Sequence, residues 1–241
     1  MNTVIENLME RKSVRAFSDK EITSEEKEVI LRAAMAAPSA GCQQMYTILD
    51  ITDQSLKDTL SETCDHQPFI AKAKMVLIFC TDYQKWYDAF VLAGCRPRTP
   101  RAGDFLLATE DAAIAAQNAV TAAQSLGIGS CYIGDIMENY EKHRELLHLP
   151  DYVFPSLMVV FGYPTQQQME RTKPARADLD FIVHENGYRK LTKEELKRNI
   201  AKDTGSRTFE EWITAFCKRK YESDFSLEMS RSVEEALKKF K

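Results

Sequence analysis

Arg11-Lys12-Ser13-Val14-Arg15 sets three cations and a hydroxyl within five residues, directly after the helical apolar pattern of Val4, Ile5, Leu8 and Met9. A guanidinium is a planar fork of donors and a lysine a compact charge, so the pair suits a phosphate monoester better than a lone carboxylate. Ser13 can complete such a cradle. Charge runs are also commonly solvated turns, and the later stretches of the chain decide between the two readings. Ala37-Pro38-Ser39-Ala40-Gly41 comes one helix later, and Leu126-Gly127-Ile128-Gly129 leads into Tyr132-Ile133-Gly134.

Between these stretches helices and strands are mixed. Thr23 followed by Glu26 is a capping-box pattern, and Val29, Ile30, Ala33, Ala34 and Ala37 repeat on a helical period until Pro38 ends it. Residues 39–44 therefore lie in the loop leaving that helix. Residues 46–51, 75–80 and 156–161 are apolar runs of strand length, rich enough in Ile, Val and aromatics to be buried. Residues 104–126 read as a long alanine-rich helix with Ile114, Ala115, Ala119 and Ala122 at close-packing spacing, capped by Gly127. Gly129 and Gly134 are expected to keep the following turn open, either as a structural stop or where backbone approaches a flat ligand. The Gly127-x-Gly129 pair is no dinucleotide fingerprint, because it follows a helix and lacks the third glycine and the downstream acid.

At 241 residues and a net charge of −4 the chain is long enough for one domain with a substantial core, and its interspersed charges predict no nucleic-acid partner. No apolar run approaches the roughly 18 residues of a membrane span, and Met1-Asn2-Thr3 lacks the regions of a secretion signal, so a cytoplasmic protein is expected. The cysteines at 42, 64, 80, 95, 131 and 217 form no Cys-x-x-Cys pair and lack the His spacing of a zinc site, so no metal is expected and free thiols are. Residues 93–103 hold three arginines and two prolines and read as an exposed loop, either plain surface or a lid over an anionic ligand. After residue 190 the chain is strongly charged. Thr208 and Glu211 open a helix carrying Trp212, Ile213 and Phe216, and an amphipathic pattern runs over 226–240.

Taken in order, these stretches resemble the FMN-dependent nitroreductase family, in particular its larger flavin-reductase-like, NADPH-dependent, oxygen-insensitive branch. Arg11, Lys12, Ser13 and Arg15 sit where that family has its N-terminal basic motif. Ala37-Pro38-Ser39-Ala40-Gly41-Cys42-Gln43-Gln44 is similar to its Ala-Pro-Ser segment, with Gln44 matching and Cys42 in place of the usual asparagine. His66-Gln67, ahead of a strand ending Phe79-Cys80-Thr81-Asp82, resembles the branch in which that glutamine hydrogen-bonds the flavin ring. Phe161-Gly162-Tyr163-Pro164, Lys173-Pro174-Ala175-Arg176 and Val183-His184-Glu185-Asn186 with Tyr188 resemble its second phosphate-binding segment, with one residue inserted between Lys173 and Arg176. The resemblance spans about residues 1–190.

The resemblance implies an α+β fold: a central mixed, mainly antiparallel sheet flanked by helices in three layers. It implies an FMN-binding domain over 1–190 and a helical C-terminal extension over 191–241 that packs on a homodimer, the alternative being docking on its own subunit. It implies a ping-pong, two-electron NAD(P)H oxidoreductase acting on nitroaromatics, quinones or flavins. On that reading FMN is the cofactor, NAD(P)H the co-substrate and a small molecule the electron acceptor. Arg11, Lys12, Ser13 and either Lys173 or Arg176 hold the phosphate, and Arg15 faces the flavin pyrimidine. Pro38, Ser39, Ala40, Gln44 and Gln67 contact the ribityl chain and ring, while Tyr132, Ile133 and Gly134 line the flavin edge. No catalytic acid or base is expected, and His66, His143, His148 and His184 are read as structural or surface groups. The alternatives are a non-catalytic FMN carrier or sensor and a reductive dehalogenase on the same scaffold.

Overall fold

Met75–Asp82, Met-Val-Leu-Ile-Phe-Cys-Thr-Asp, is the strand around which the sheet is built, and all its residues are buried. Side chains alternate across a strand, so Met75, Leu77 and Phe79 enter one core while Val76, Ile78 and Cys80 enter another. The structure is a computed structural model describing residues 2–202 and 204–241. Its strands are β1 (Tyr46–Asp50), β2 (Met75–Asp82), β3 (Gly129–Ile133) and β4 (Val153–Gly162), in the order β1-β2-β4-β3. Its helices are α1 (Thr3–Glu10), α2 (Ser24–Met35), α3 (Gln54–Thr63), α4 (Pro68–Ala71), α5 (Gln84–Leu92), α6 (Ala102–Ser125), α7 (Tyr140–Leu146), α8 (Gln166–Glu170), α9 (Leu179–Ile182), α10 (Lys193–Ile200), α11 (Phe209–Lys220) and α12 (Asp224–Leu237).

Every pair of neighbouring strands is antiparallel. The sheet becomes mixed through one parallel bridge, Ser13 to Ser130, at which Val14 N donates to Ser130 O at 2.9 Å. Register slips between Phe79 and Cys80 opposite Pro155, where the chain bulges. A proline has no N–H to give the ladder, and beside it Thr81 N donates to Ser156 Oγ at 3.3 Å.

One sheet face is covered by α2 and α6, the other by α3 and α4. The α2 capping box forms as the Thr23 and Glu26 spacing predicts. Small side chains let α6 approach the sheet: Ala108, Ala112, Ala115, Ala116, Ala119 and Ala123 are all buried. Ile114, expected on that face, is 41% exposed. It sits between the inward residues Ala112 and Ala115 by number, but about 100° per residue turns it away from them. Gly127 takes the expected left-handed cap at φ 76°.

Gly129 departs from expectation. It does not hold a turn open but begins β3, the edge strand beside β4. A Cβ built on it would lie 2.6 Å from Val14 Cγ2. The glycine therefore serves a close backbone approach, and that approach seats residues 13 and 14 along the sheet edge.

The chain divides into two units, one running to Arg171 and including Glu228–Lys241, the other Thr172–Leu227. In the first, Ala236 and Phe240 bury against Phe105, Tyr140 and Phe154, so the end of the tail packs on its own chain. Glu228 and Ser232 accept from Asn139 N and Tyr140 N, supplying the cap that α7 lacks. In the second unit α10 and α11 carry capping boxes at Thr192/Glu195 and Thr208/Glu211. Arg189 forms a bidentate pair with Glu195 at 2.7 and 2.9 Å, and Trp212 stacks on Phe216.

Gly129→Ala should lower stability by about 1–3 kcal/mol in urea unfolding, because the new methyl must displace a buried Val14. Adding Val14→Ala should recover part of that loss. An unchanged Gly129→Ala midpoint would mean that the segment is not held against the strand as described.

Candidate functional site

The basic run is an extended segment laid beside β3. Burial pushes the Cys131 thiol up, and the charges of Arg15 and Arg11 and hydrogen bonding by Ser13 act on it in the opposite direction. Burial likewise raises the Tyr132 hydroxyl to about 12, against the charge of Arg11. Alternation on β3 sends Ile133 into the core with Cys131 and turns Tyr132 to the other face, where its OH donates to Gln117 Oε1 at 3.3 Å. Gly134 follows as the N-cap of the 3-10 turn Asp135–Met137.

The cations of the run differ in their partners. Arg11 Nη1 is buried and has no hydrogen-bond partner. Lys12 Nζ donates to Met169 O at 2.6 Å and also to Arg171 O, so two of its three N–H groups hold the chain after α8. Arg171 Nη2 donates back to Ser13 O at 2.5 Å. The Arg15 side chain is exposed and its guanidinium lies 6.0 Å from the Phe69 ring centroid. Phe69 is in α4, two residues past Gln67, and Gln67 Nε2 donates to Asp135 Oδ2 at 3.0 Å. Arg11, Ser13 and Arg15, then Gln67, then Tyr132, Ile133 and Gly134, from three separate stretches of the chain, are thus brought to one edge of the sheet.

Pro38, Ser39, Ala40 and Gln44 form a second group. Ser39 Oγ accepts from Gln44 N at 3.0 Å, and Gln44 Nε2 donates to Met35 O at 3.0 Å at the end of α2. The loop needs three consecutive or nearly consecutive left-handed residues, Gly41, Cys42 and Gln44. Such backbone is sustained only where its surroundings over-determine it. The anchor is Asp111 on α6, buried, whose two oxygens accept from Ala40 N at 2.9 Å and Met45 N at 3.1 Å. Trp86 Nε1 adds a bond to Gln43 O at 2.8 Å. Motif reading misses Asp111. Its one signal is an acid inside an otherwise small and apolar helix face, Ala108 to Ala123.

Lys173 and Arg176 lie in the second unit, where Arg176 Nη1 donates to Pro174 O at 3.2 Å. In the 93–103 loop Arg98 pairs with Asp104 in a fork of 2.5 and 2.9 Å. His143 is buried, with Nδ1 on Ile136 O at 2.9 Å and Nε2 on Thr63 Oγ1 at 2.7 Å, and burial lowers its pKa. Cys42 is exposed and free, and burial pushes Cys64 up to about 12.

Whether this edge fits FMN can be judged from Arg11. A buried cationic N–H with no acceptor in its own chain is a costly group, and an anionic oxygen satisfies it. The donors around it, Ser13 and Arg15, are of the same kind. The group fits.

The chain is similar to known proteins along most of its length. It is 35% identical over 198 residues to the oxygen-insensitive NADPH nitroreductase of Salmonella typhimurium, covering 82% of this chain and 80% of that one. It is 33% identical over 190 residues to an FMN reductase (NADPH) of Bacillus subtilis, covering 78% and 75%. The solved NADPH:FMN oxidoreductase from Vibrio harveyi complexed with NAD+ superposes with a TM-score of 0.81 over 98% of both chains, at 25% identity. The model of the nitroreductase family matches residues 8–163. With that match over more than half its length, and with the sheet, helices and basic edge just described, the chain belongs to the nitroreductase family.

Proposed function

We propose that this chain is an FMN-dependent NAD(P)H oxidoreductase whose cofactor lies along the β3 edge, and that it reduces nitroaromatics, quinones or flavins in ping-pong fashion. The observation that carries the reading is the buried, unpartnered Arg11 Nη1 beside Ser13 and Arg15. Arg11, Ser13 and the remaining N–H of Lys12 take the phosphate. Arg15 and Gln67 face the pyrimidine side, while Tyr132, Ile133 and Gly134 line the ring edge. Bound FMN supplies the two-electron chemistry that no side chain has, and the protein supplies place and charge. Arg15 is a fixed cation where negative charge develops on reduction, which favours the reduced state. His143, the buried histidine, has both ring nitrogens occupied.

The Pro38, Ser39, Ala40 and Gln44 loop completes the site from a second copy of the chain. Supporting this, α1 buries none of its residues yet carries Val4, Ile5, Leu8 and Met9, and Leu106, Leu107 and Ile114 of the adjoining α6 stand exposed. A partner would cover both. A cytoplasmic setting suits the free cysteines, which stay reduced there.

The first test is the absorbance of the purified protein, then anaerobic NADPH, then a nitroarene or quinone. A flavin band that bleaches quickly and returns with the acceptor is expected. Slow bleaching would favour a carrier, and a colourless protein that gains no band with FMN would overturn the reading.

Arg11→Ala should weaken FMN retention on the order of tenfold, whereas Arg15→Ala should mainly slow flavin reduction. Equal retention losses with unchanged reduction rates would sink that division. Asp111→Ala should cost about 2–4 kcal/mol of stability, by leaving two inward N–H groups unpaired. It should also reduce FMN retention by releasing the 38–44 loop. Full retention in that variant would remove the loop from the site.

A further inference from the structure

The turn between α3 and α4 passes through two successive left-handed residues, Asp65 at φ 60° and His66 at φ 48°, and ends on Gln67. Gln67 N donates to Ser61 O at 2.9 Å and Ser61 Oγ donates to Gln67 O at 3.0 Å, so its backbone is clamped from both sides. Its side-chain nitrogen donates twice, to Cys64 O at 2.8 Å and to Asp135 Oδ2 at 3.0 Å. Turning the amide over would set its oxygen against a carbonyl and a carboxylate, so the orientation follows from the acceptors around it. With both N–H groups used, Gln67 can offer an incoming ligand only its carbonyl oxygen.

Asp135 has a second neighbour. Glu138 ends the 3-10 turn, is only 5% exposed, and donates its backbone N–H to Asp135 O at 3.0 Å, with the Asp135 side chain among the groups that raise its carboxyl. Its Oε1 is buried and finds no donor. Two carboxylates in contact present only acceptors to each other, and the contact becomes favourable when one proton lies between them. Burial above all, and then the charges of Asp135, Asp65 and Glu228, push Glu138 up to about 7. Around it, Glu228 is already held by Arg231 at 2.8 Å, which also holds Glu141 at 2.8 Å, and His143 on α7 is kept toward neutrality by burial.

We propose that Glu138 is a positioning residue: its carboxyl proton, donated to Asp135, keeps Asp135 on the Gln67 amide and so holds the Gln67 carbonyl oxygen ready to accept from a ligand N–H. On the reading of the site given above, on which this rests, that ligand group is the imide N–H of FMN. Losing the proton places a second negative charge beside Asp135 and removes the donor that keeps Asp135 on the Gln67 amide. Affinity therefore falls as pH rises through about 7. The same sign holds for stability, since a carboxyl raised by folding contributes most below its unfolded value and that contribution is lost as pH climbs through the folded one.

The experiment measures FMN dissociation by flavin fluorescence at about pH 6 and pH 8, either side of the Glu138 value, for the wild type, Glu138→Gln, Glu138→Ala and Gln67→Ala. The phosphate's own titration is common to all four proteins, so differences in slope are read. Wild-type affinity relative to Glu138→Gln should drop roughly fivefold between the two pH values, because the glutamine still donates to Asp135 and never ionises. Glu138→Ala should be weaker than Glu138→Gln at the lower pH, and Gln67→Ala should be weak with its slope reduced to that of Glu138→Gln. Thermal unfolding without flavin should show the wild type losing more stability than Glu138→Gln over the same interval. Equal slopes for the wild type and Glu138→Gln, or a Glu138→Gln as weak as Glu138→Ala, would overturn the inference while leaving FMN binding intact. A wild type that takes up no FMN at either pH would instead overturn the FMN reading itself. Should the Glu138 variants not fold, Asp135→Asn must reduce the wild-type slope, and an unchanged slope there would equally refute the role.

Discussion

Burial of the sheet on both faces is the constraint on which the other features depend. With β2 wholly buried and β4 nearly so, apolar side chains occupy both layers beside them, and polar chemistry is displaced to the edges and ends of the sheet. The β3 edge is where backbone groups remain available to another segment. The basic run takes that edge through the Ser13 to Ser130 bridge, and it can do so because Gly129 leaves room for Val14. Three cations are thereby fixed in space by backbone pairing and one glycine, although each would be mobile on an isolated turn.

Around this edge the polar groups that matter most are those that hold other groups. Asp111 directs both carboxylate oxygens to backbone N–H groups of a left-handed loop, and Lys12 gives two donors to carbonyls. Ser61 clamps the Gln67 backbone, and Cys64 O and Asp135 hold its side-chain amide. This is the arrangement expected of a cofactor enzyme, where the reactive group is supplied from outside and the chain supplies rigid placement. The buried thiols fit the same picture, since burial raises Cys64, Cys80 and Cys131 away from the reactive thiolate.

The surfaces left uncovered are as informative as the core. An amphipathic α1 with its apolar side chains exposed, next to a helix with its own exposed leucines, is a face awaiting a cover. The far end of the tail already has its place, with Phe240 packed edge-on against Phe105 and Tyr152. The second unit is held differently, by capping boxes and ion pairs such as Asp178 with Lys202 at 2.6 Å, and it has little apolar burial.

Local signals decided a good deal of this protein by themselves. The Thr23 and Glu26 box, the stop at Pro38, the Gly127 cap, the three apolar strands and the long alanine helix all depend on neighbours within a few residues, and they stand where the sequence puts them. So does the order of short motifs that marks the family. Only the tertiary structure decided which glycine serves which end: Gly129 reads as a turn residue until Val14, far from it along the chain, is brought to its side. It also decided the inward face of α6, where Ala112 and Ala116 join the expected Ala115 and Ala119 while Ile114 turns outward. Asp111, Glu138 and the fixed amide of Gln67 were not legible either. The partners of Asp111, and Asp135 as one of the two partners of the Gln67 amide, lie 66 to 71 residues away, and a long-range hydrogen bond leaves no periodic trace in sequence. Features specified by local chemistry can be read along the chain, whereas those that depend on the meeting of distant backbone exist only once the sheet has closed.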